Sequence, residues 1–156
     1  MKNMDDLNIL IVEADFYRDI SDALLEGAKS VLDESGASYD IVQVPGCLEI
    51  PAAISFAMKA MEYTGGRRRY DAYVALGCVV RGETSHYDTV SEESARGLMK
   101  LSTDYCLAVG NGIITCENDA QAWARARKDE KDKGGAAARA ALDMLTLKET
   151  FGLFPR

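Results

Sequence analysis

The sequence predicts an α/β protein, a single α/β/α sandwich with a four-stranded parallel sheet and helices on both faces. Two observations carry this. Short apolar, β-branched runs alternate along the chain with segments whose apolar residues recur at helical spacing. One of those runs, residues 71–80, is continuous and apolar, as expected of a central strand covered on both sides. No linker, repeat or low-complexity tract interrupts the pattern, so residues 1–156 read as one domain.

The elements follow in order. Residues 8–12 form a first strand. Ile20, Leu24, Ala28 and Val31 mark the inner face of a helix that Gly36 stops. Residues 39–44 form a second strand, ended by Pro45-Gly46. Ile50, Ile54, Ala57, Met58 and Met61 give a second helical face, closed by Gly65-Gly66. Residues 71–80 are the third strand. After Arg81-Gly82 comes a long helix carrying Val90, Leu98 and Leu101. Residues 107–109 and 113–115 predict a fourth strand broken by Gly110-Asn111-Gly112. Residues 118–128 and 135–150 are two final helices, the last with Ala138, Ala141, Leu142 and Leu145 facing inward.

Composition narrows the function. A net charge of −7 argues against a nucleic-acid binder, which needs a concentrated excess of Lys and Arg. Apolar and charged fractions of 47% and 28% are ordinary for a globular protein. The longest apolar run, 72–80, falls far short of the ~20 residues of a spanning helix. Met1 to Asp6 shows no secretory signal. Three of the four cysteines sit in or beside strand-like runs with no C-x-x-C pair, which predicts reduced core thiols and a cytoplasmic location. A single histidine rules out a multi-histidine metal site within one chain, and no metal is expected.

Ligands of parallel α/β sheets bind beyond the carboxyl ends of the strands. Four loops lie there: 13–19, 45–51, 79–88 and 110–118. The richest reads Val79-Val80-Arg81-Gly82-Glu83-Thr84-Ser85-His86-Tyr87. Free N–H groups at the start of the following helix, with the positive end of its dipole, suit an anion such as phosphate. His86 stands within reach of such a ligand, and imidazoles titrate near neutral pH. The alternative is that Thr84 or Ser85 simply caps the helix and His86 is a surface residue. In Pro45-Gly46-Cys47-Leu48-Glu49-Ile50-Pro51, Pro51 fits a first helical turn, while Glu49 either complements the helix dipole or binds ligand hydroxyls. Phe16, directly after the first strand, either stacks on a planar ring or edges the core. Arg125 and Lys133 bound a strongly charged stretch whose plain reading is a solvated helix end. Gly110-Asn111-Gly112 is not a dinucleotide fingerprint, and there is no Walker loop, so no nucleotide cofactor is expected.

Taken together these loops resemble the lumazine synthase family over nearly the whole chain. The matching pieces are Ala14 and Phe16; Val44-Pro45-Gly46-x-x-Glu49-Ile50-Pro51; Gly77 through Tyr87; Gly112-Ile113-Ile114-Thr115-x-Glu117-Asn118; and Gln121-Ala122-x-x-Arg125-Ala126 with Lys133-Gly134. The resemblance implies a flavodoxin-like sheet and a transferase of riboflavin biosynthesis. Its members condense 5-amino-6-ribitylaminouracil with 3,4-dihydroxy-2-butanone 4-phosphate to 6,7-dimethyl-8-ribityllumazine, with no cofactor and no metal.

By that analogy His86 carries protons, and Arg125 with backbone and hydroxyl groups of Gly82, Glu83 and Thr84 holds the phosphate. Phe16 stacks on the pyrimidine, Gly46, Cys47, Leu48 and Glu49 line the ribityl chain, and Val79 and Val80 bond the ring edge through their backbone. Asn111 and Lys133 join the same site, Lys133 from this chain or from a neighbour. The family often has Arg-Phe-Asn where this chain has Asp15-Phe16-Tyr17, and an aromatic where it has Asn111, so at the pyrimidine pocket either ring stacking is weaker or Tyr17 takes part. The resemblance also implies homo-pentamers with shared sites. The charged, glycine-free stretch 127–132 predicts a free pentamer or a decamer rather than a capsid. The rival readings are a catalytically weak relative that binds lumazine or riboflavin, a purely structural oligomer, and riboflavin synthase of the archaeal type.

Overall fold

A computed structural model describes residues 6–63 and 70–153. The Gly65-Gly66 helix stop and nearly all of the N-terminal stretch lie outside the described residues. The elements are β1 (Asn8–Ala14), α1 (Arg18–Ser35), β2 (Ser38–Val44), a 3-10 turn (Cys47–Glu49), α2 (Ile50–Tyr63), β3 (Ala72–Val80), α3 (His86–Tyr105), β4 (Ala108–Cys116), α4 (Asp119–Ala126) and α5 (Lys133–Thr150).

All strand pairs are parallel, in the order β2-β1-β3-β4. This is the flavodoxin-like arrangement. Val12 lies opposite Val42 on one side and Ala75 on the other, and Val80 closes the sheet opposite Cys116. Alternate strand residues feed two cores. Ile9, Ile11, Val74, Leu76 and Ile114 pack against α1, α4 and α5 through Leu24, Ala28, Ala122, Ala138 and Leu145. Leu10, Val12, Tyr73, Ala75 and Val79 pack against α2 and α3 through Ile50, Ile54, Met58, Leu98 and Leu101. β3 is buried along eight of its nine residues, which is why it reads as an unbroken apolar run.

α1 ends as its sequence predicts, because Gly36 adopts a left-handed conformation (φ 79°) and its N–H returns to the Asp33 carbonyl. The expected break in the fourth strand does not occur. β4 runs unbroken through Gly110 and Gly112, whose missing side chains let α5 lie directly on the strand. Asn111 between them is exposed, and its Oδ1 accepts the Ile113 N–H at 2.9 Å.

The charged stretch after α4 is a closed turn rather than a frayed helix end. The N–H groups of Glu130 and Asp132 both donate to the Arg127 carbonyl, and the Lys131 N–H donates to Ala124. Asp132 then caps α5 by accepting the Gly135 N–H. Among the described residues no helix is long and apolar enough to cross a membrane.

Candidate active site at the switch point of the sheet

The chain leaves β1 toward β2 on one side and leaves β3 toward β4 on the other. Their carboxyl ends therefore diverge and leave a crevice. A cleft of about 420 Å³ fills it, lined from the β1, β2 and β3 exits and the first turns of α3.

The β1 exit supplies Phe16 and Tyr17. Ser21 Oγ donates to the Ala14 carbonyl at 2.7 Å, pinning the start of α1 to the strand end. Phe16 is 74% exposed, and Tyr17 braces it edge-on with centroids 5.0 Å apart and planes at 77°. Most of the Phe16 side chain stays exposed. Asp15 turns to Arg18, at 3.5 Å.

From the β2 exit come Pro45, Gly46, Cys47, Leu48 and Glu49. The 3-10 turn is closed by the Glu49 N–H on the Gly46 carbonyl at 3.1 Å, and Pro51 falls in the first turn of α2. Cys47 is buried beneath this wall; a Cβ on Gly77 would lie 2.5 Å from its sulfur, so Gly77 makes the room. Burial pushes the thiols of Cys47 and Cys78 up to about 12, which keeps both neutral and unreactive.

At the β3 exit, Cys78, Val79, Val80, Gly82 and Thr84 form the floor, and α3 opens at His86 with Tyr87 and Val90 beside it. Thr84 Oγ1 accepts the His86 N–H at 3.3 Å, while Ser85, the residue before the helix, makes no side-chain cap. The first turn of a 20-residue helix thus points at the cleft with part of its N–H complement uncapped.

Ten of the fourteen residues singled out in the sequence line this cleft: Phe16, Gly46, Cys47, Leu48, Glu49, Val79, Val80, Gly82, Thr84 and His86. Glu83, Asn111, Arg125 and Lys133 are not part of its wall. Arg125 lies next to it: its charge opposes the burial that raises the Cys116 thiol, and Cys116 is the strand partner of Val80. Its Nη1 donates to the Gln121 carbonyl at 3.2 Å. Lys133 is exposed at the start of α5, in the α1/α4/α5 layer. Sequence reasoning assigns no site role to Pro45, Cys78, Tyr87 or Val90, and it names Tyr17 only beside Phe16. For Val90 a signal exists, because it stands four residues after His86 and shares its helix face.

The cleft pairs an apolar, aromatic wall with backbone donors at a strand end, one imidazole and one carboxylate. Such a site can hold a planar heterocycle edge-on to the strand, bind hydroxyls, accept an anion at the helix start and move protons. The family model for 6,7-dimethyl-8-ribityllumazine synthase matches residues 6–149. The chain belongs to that family. It is 59% identical to 6,7-dimethyl-8-ribityllumazine synthase 1 of Rhizobium meliloti (strain 1021), over 97% of this chain and 98% of the relative. It is 59% identical to the 6,7-dimethyl-8-ribityllumazine synthase of Agrobacterium fabrum (strain C58 / ATCC 33970), over 93% and 97%. With the one of Nitrobacter hamburgensis (strain DSM 10229 / NCIMB 13809 / X14) it shares 63% identity over 89% and 84%. As a member of the lumazine synthase family it matches the family model from β1 nearly to the end of α5, so the cleft lies wholly within the shared region.

Proposed function

We propose that this chain condenses 5-amino-6-ribitylaminouracil with 3,4-dihydroxy-2-butanone 4-phosphate to 6,7-dimethyl-8-ribityllumazine, phosphate and water. The observation that carries the reading is the meeting of Phe16, the 45–49 turn and His86 at one switch-point cleft, in a chain of that family.

The pyrimidine stacks on the exposed ring of Phe16, with its edge on the backbone of Val79 and Val80. The ribityl chain runs along Gly46, Cys47 and Leu48 and gives its hydroxyls to Glu49. The phosphate sits at the α3 start, on the backbone N–H groups of Gly82 and Glu83 and the hydroxyl of Thr84, with Arg125 closing from the last turn of α4. The aromatic amine adds to the ketone and water leaves to give an imine. Phosphate then departs by elimination, and the second amine closes the ring with loss of water. His86 takes and returns protons in these steps. Much of the rate comes from holding two substrates in register.

The working form in this reading is a homo-pentamer, alone or paired, in which a neighbour's Asn111 and Lys133 complete the cleft. Both residues are exposed and stand away from their own chain's cleft wall, which supports that arrangement. The buried, reduced thiols suit the cytoplasm.

Mixing purified protein with both substrates and following the fluorescent product tests the activity. Turnover well above the uncatalysed rate is expected. Tight binding of lumazine or riboflavin without turnover would instead mark a binding relative. Sedimentation velocity tests the assembly, and a capsid-sized boundary would overturn it.

A further inference from the structure

Arg81 is the first residue after β3, and it ties three elements together just outside the cleft. Its backbone N–H donates to the Cys116 carbonyl at 2.9 Å, so its own position is fixed by the end of the sheet. Its Nε donates to Glu117 Oε2 at 2.7 Å, and its Nη1 lies 3.5 Å from Asp88 Oδ1 in the first turn of α3. The guanidinium lies over the ring of Tyr87, 4.2 Å from its centroid, and Tyr87 lines the cleft next to His86. Glu117 is itself held, because its N–H donates to Gln121 Oε1 at 2.9 Å in the turn that starts α4.

The helix these contacts reach is weakly capped by side chains at its start. Ser85 provides no side-chain cap, and the bond from the His86 N–H to Thr84 is long, at 3.3 Å. Arg81 grips that first turn from the sheet through the carboxylate of Asp88 and the ring of Tyr87. A planar, forked cation can do both at once; an ammonium group cannot.

We propose that Arg81 is a positioning residue for His86, acting through Tyr87 and Asp88 and anchored on Glu117. The proposal rests on the reading of His86 as proton carrier. Arg81, Asp88 and Glu117 are each about half exposed, so their ion pairs add little to stability. Their effect is on orientation, where small displacements of a proton-transfer group cost rate steeply.

The test is a double-mutant cycle on the assembled enzyme, with kcat and KM measured for both substrates. Arg81→Met is expected to lower kcat about tenfold, with both KM values within about twofold and the melting temperature nearly unchanged. Arg81→Lys should lose less, about threefold, because it keeps the charge without the fork. In the His86→Ala background the same Arg81→Met change should cost less than about twofold, since the group it positions is gone.

Wild-type kcat in Arg81→Met, or an undiminished further loss in the His86→Ala background, would overturn the positioning role. Should Arg81→Met fail to fold, Glu117→Ala removes the anchor at an exposed position, and the same cycle with His86→Ala decides. A full rate in His86→Ala alone would instead remove the proton-carrier reading, an outcome distinct from either.

Discussion

Gly110 lies so close to Ala137 that a Cβ at Gly110 would sit 1.8 Å from the Ala137 carbonyl oxygen. The obstacle is helix backbone, which cannot swing aside as a side chain can. Gly110→Ala should therefore push α5 off β4 and cost about 3 kcal/mol or more. Gly82→Ala, whose added methyl would meet nothing within 4 Å, serves as the neutral companion. Urea unfolding midpoints at one fixed protein concentration distinguish them; equal midpoints would mean that the helix yields without strain.

Phe16 offers the opposite case. At 74% exposure it contributes little to the core, so Phe16→Ala should leave the melting temperature nearly unchanged. Loss of a stacking surface should still raise KM for the pyrimidine substrate about tenfold, with KM for the phosphate-bearing substrate unaffected. An unchanged KM would take the aromatic pair out of the binding site.

His86→Ala and Arg125→Ala should separate proton transfer from phosphate binding. The first is expected to slow kcat about tenfold without abolishing turnover, because holding the substrates together supplies much of the rate. The second should raise KM selectively for the phosphate-bearing substrate, while leaving the pyrimidine's affinity intact. Steady-state kinetics with each substrate varied in turn reads both.

Alkaline pH should weaken the fold through its buried thiols. Cys47 and Cys78 are held at about 12 by burial, against an ordinary value of 9.0. Above that ordinary value the unfolded chain gives up thiol protons that the folded chain keeps. The unfolded state then binds fewer protons, and stability falls as pH rises from about 9 toward about 12. Melting temperatures between about pH 8 and pH 10 should decline, and Cys47→Ala should show a shallower decline. The same burial predicts that iodoacetamide labels exposed Cys106 before the other three cysteines.

The sheet was legible because its two central strands, β1 and β3, are buried on both faces while the helices are apolar on one. That periodicity survives in the sequence whatever the loops do, and it placed β1, β2, β3 and all five helices within a few residues. Gly110-Asn111-Gly112 misled because a glycine pair in a strand looks the same whether it ends pairing or admits a helix; only the position of Ala137 distinguishes the two. In the site, Phe16, the 45–49 turn and His86 came from strand-end position and from resemblance to the family. Tyr87 and Cys78 did not, since their place on the wall depends on how neighbouring elements turn toward one another. The grip of Arg81 on Tyr87 is of the same kind: nothing in the spacing of the two residues announces that one ring lies under the other's guanidinium.

The cleft borrows its walls from both helical layers, with Phe16 and Tyr17 leading into α1 and the 45–49 turn and His86 leading into α2 and α3. No single hairpin or helix pair contains it, so a partly opened chain has no remnant of the site to offer. Substrate affinity is therefore tied to the cooperative unit as a whole. On the proposed reading a bound ligand ties together the exits of β1, β2 and β3 at once, and occupancy acts as a brake on unfolding of the domain.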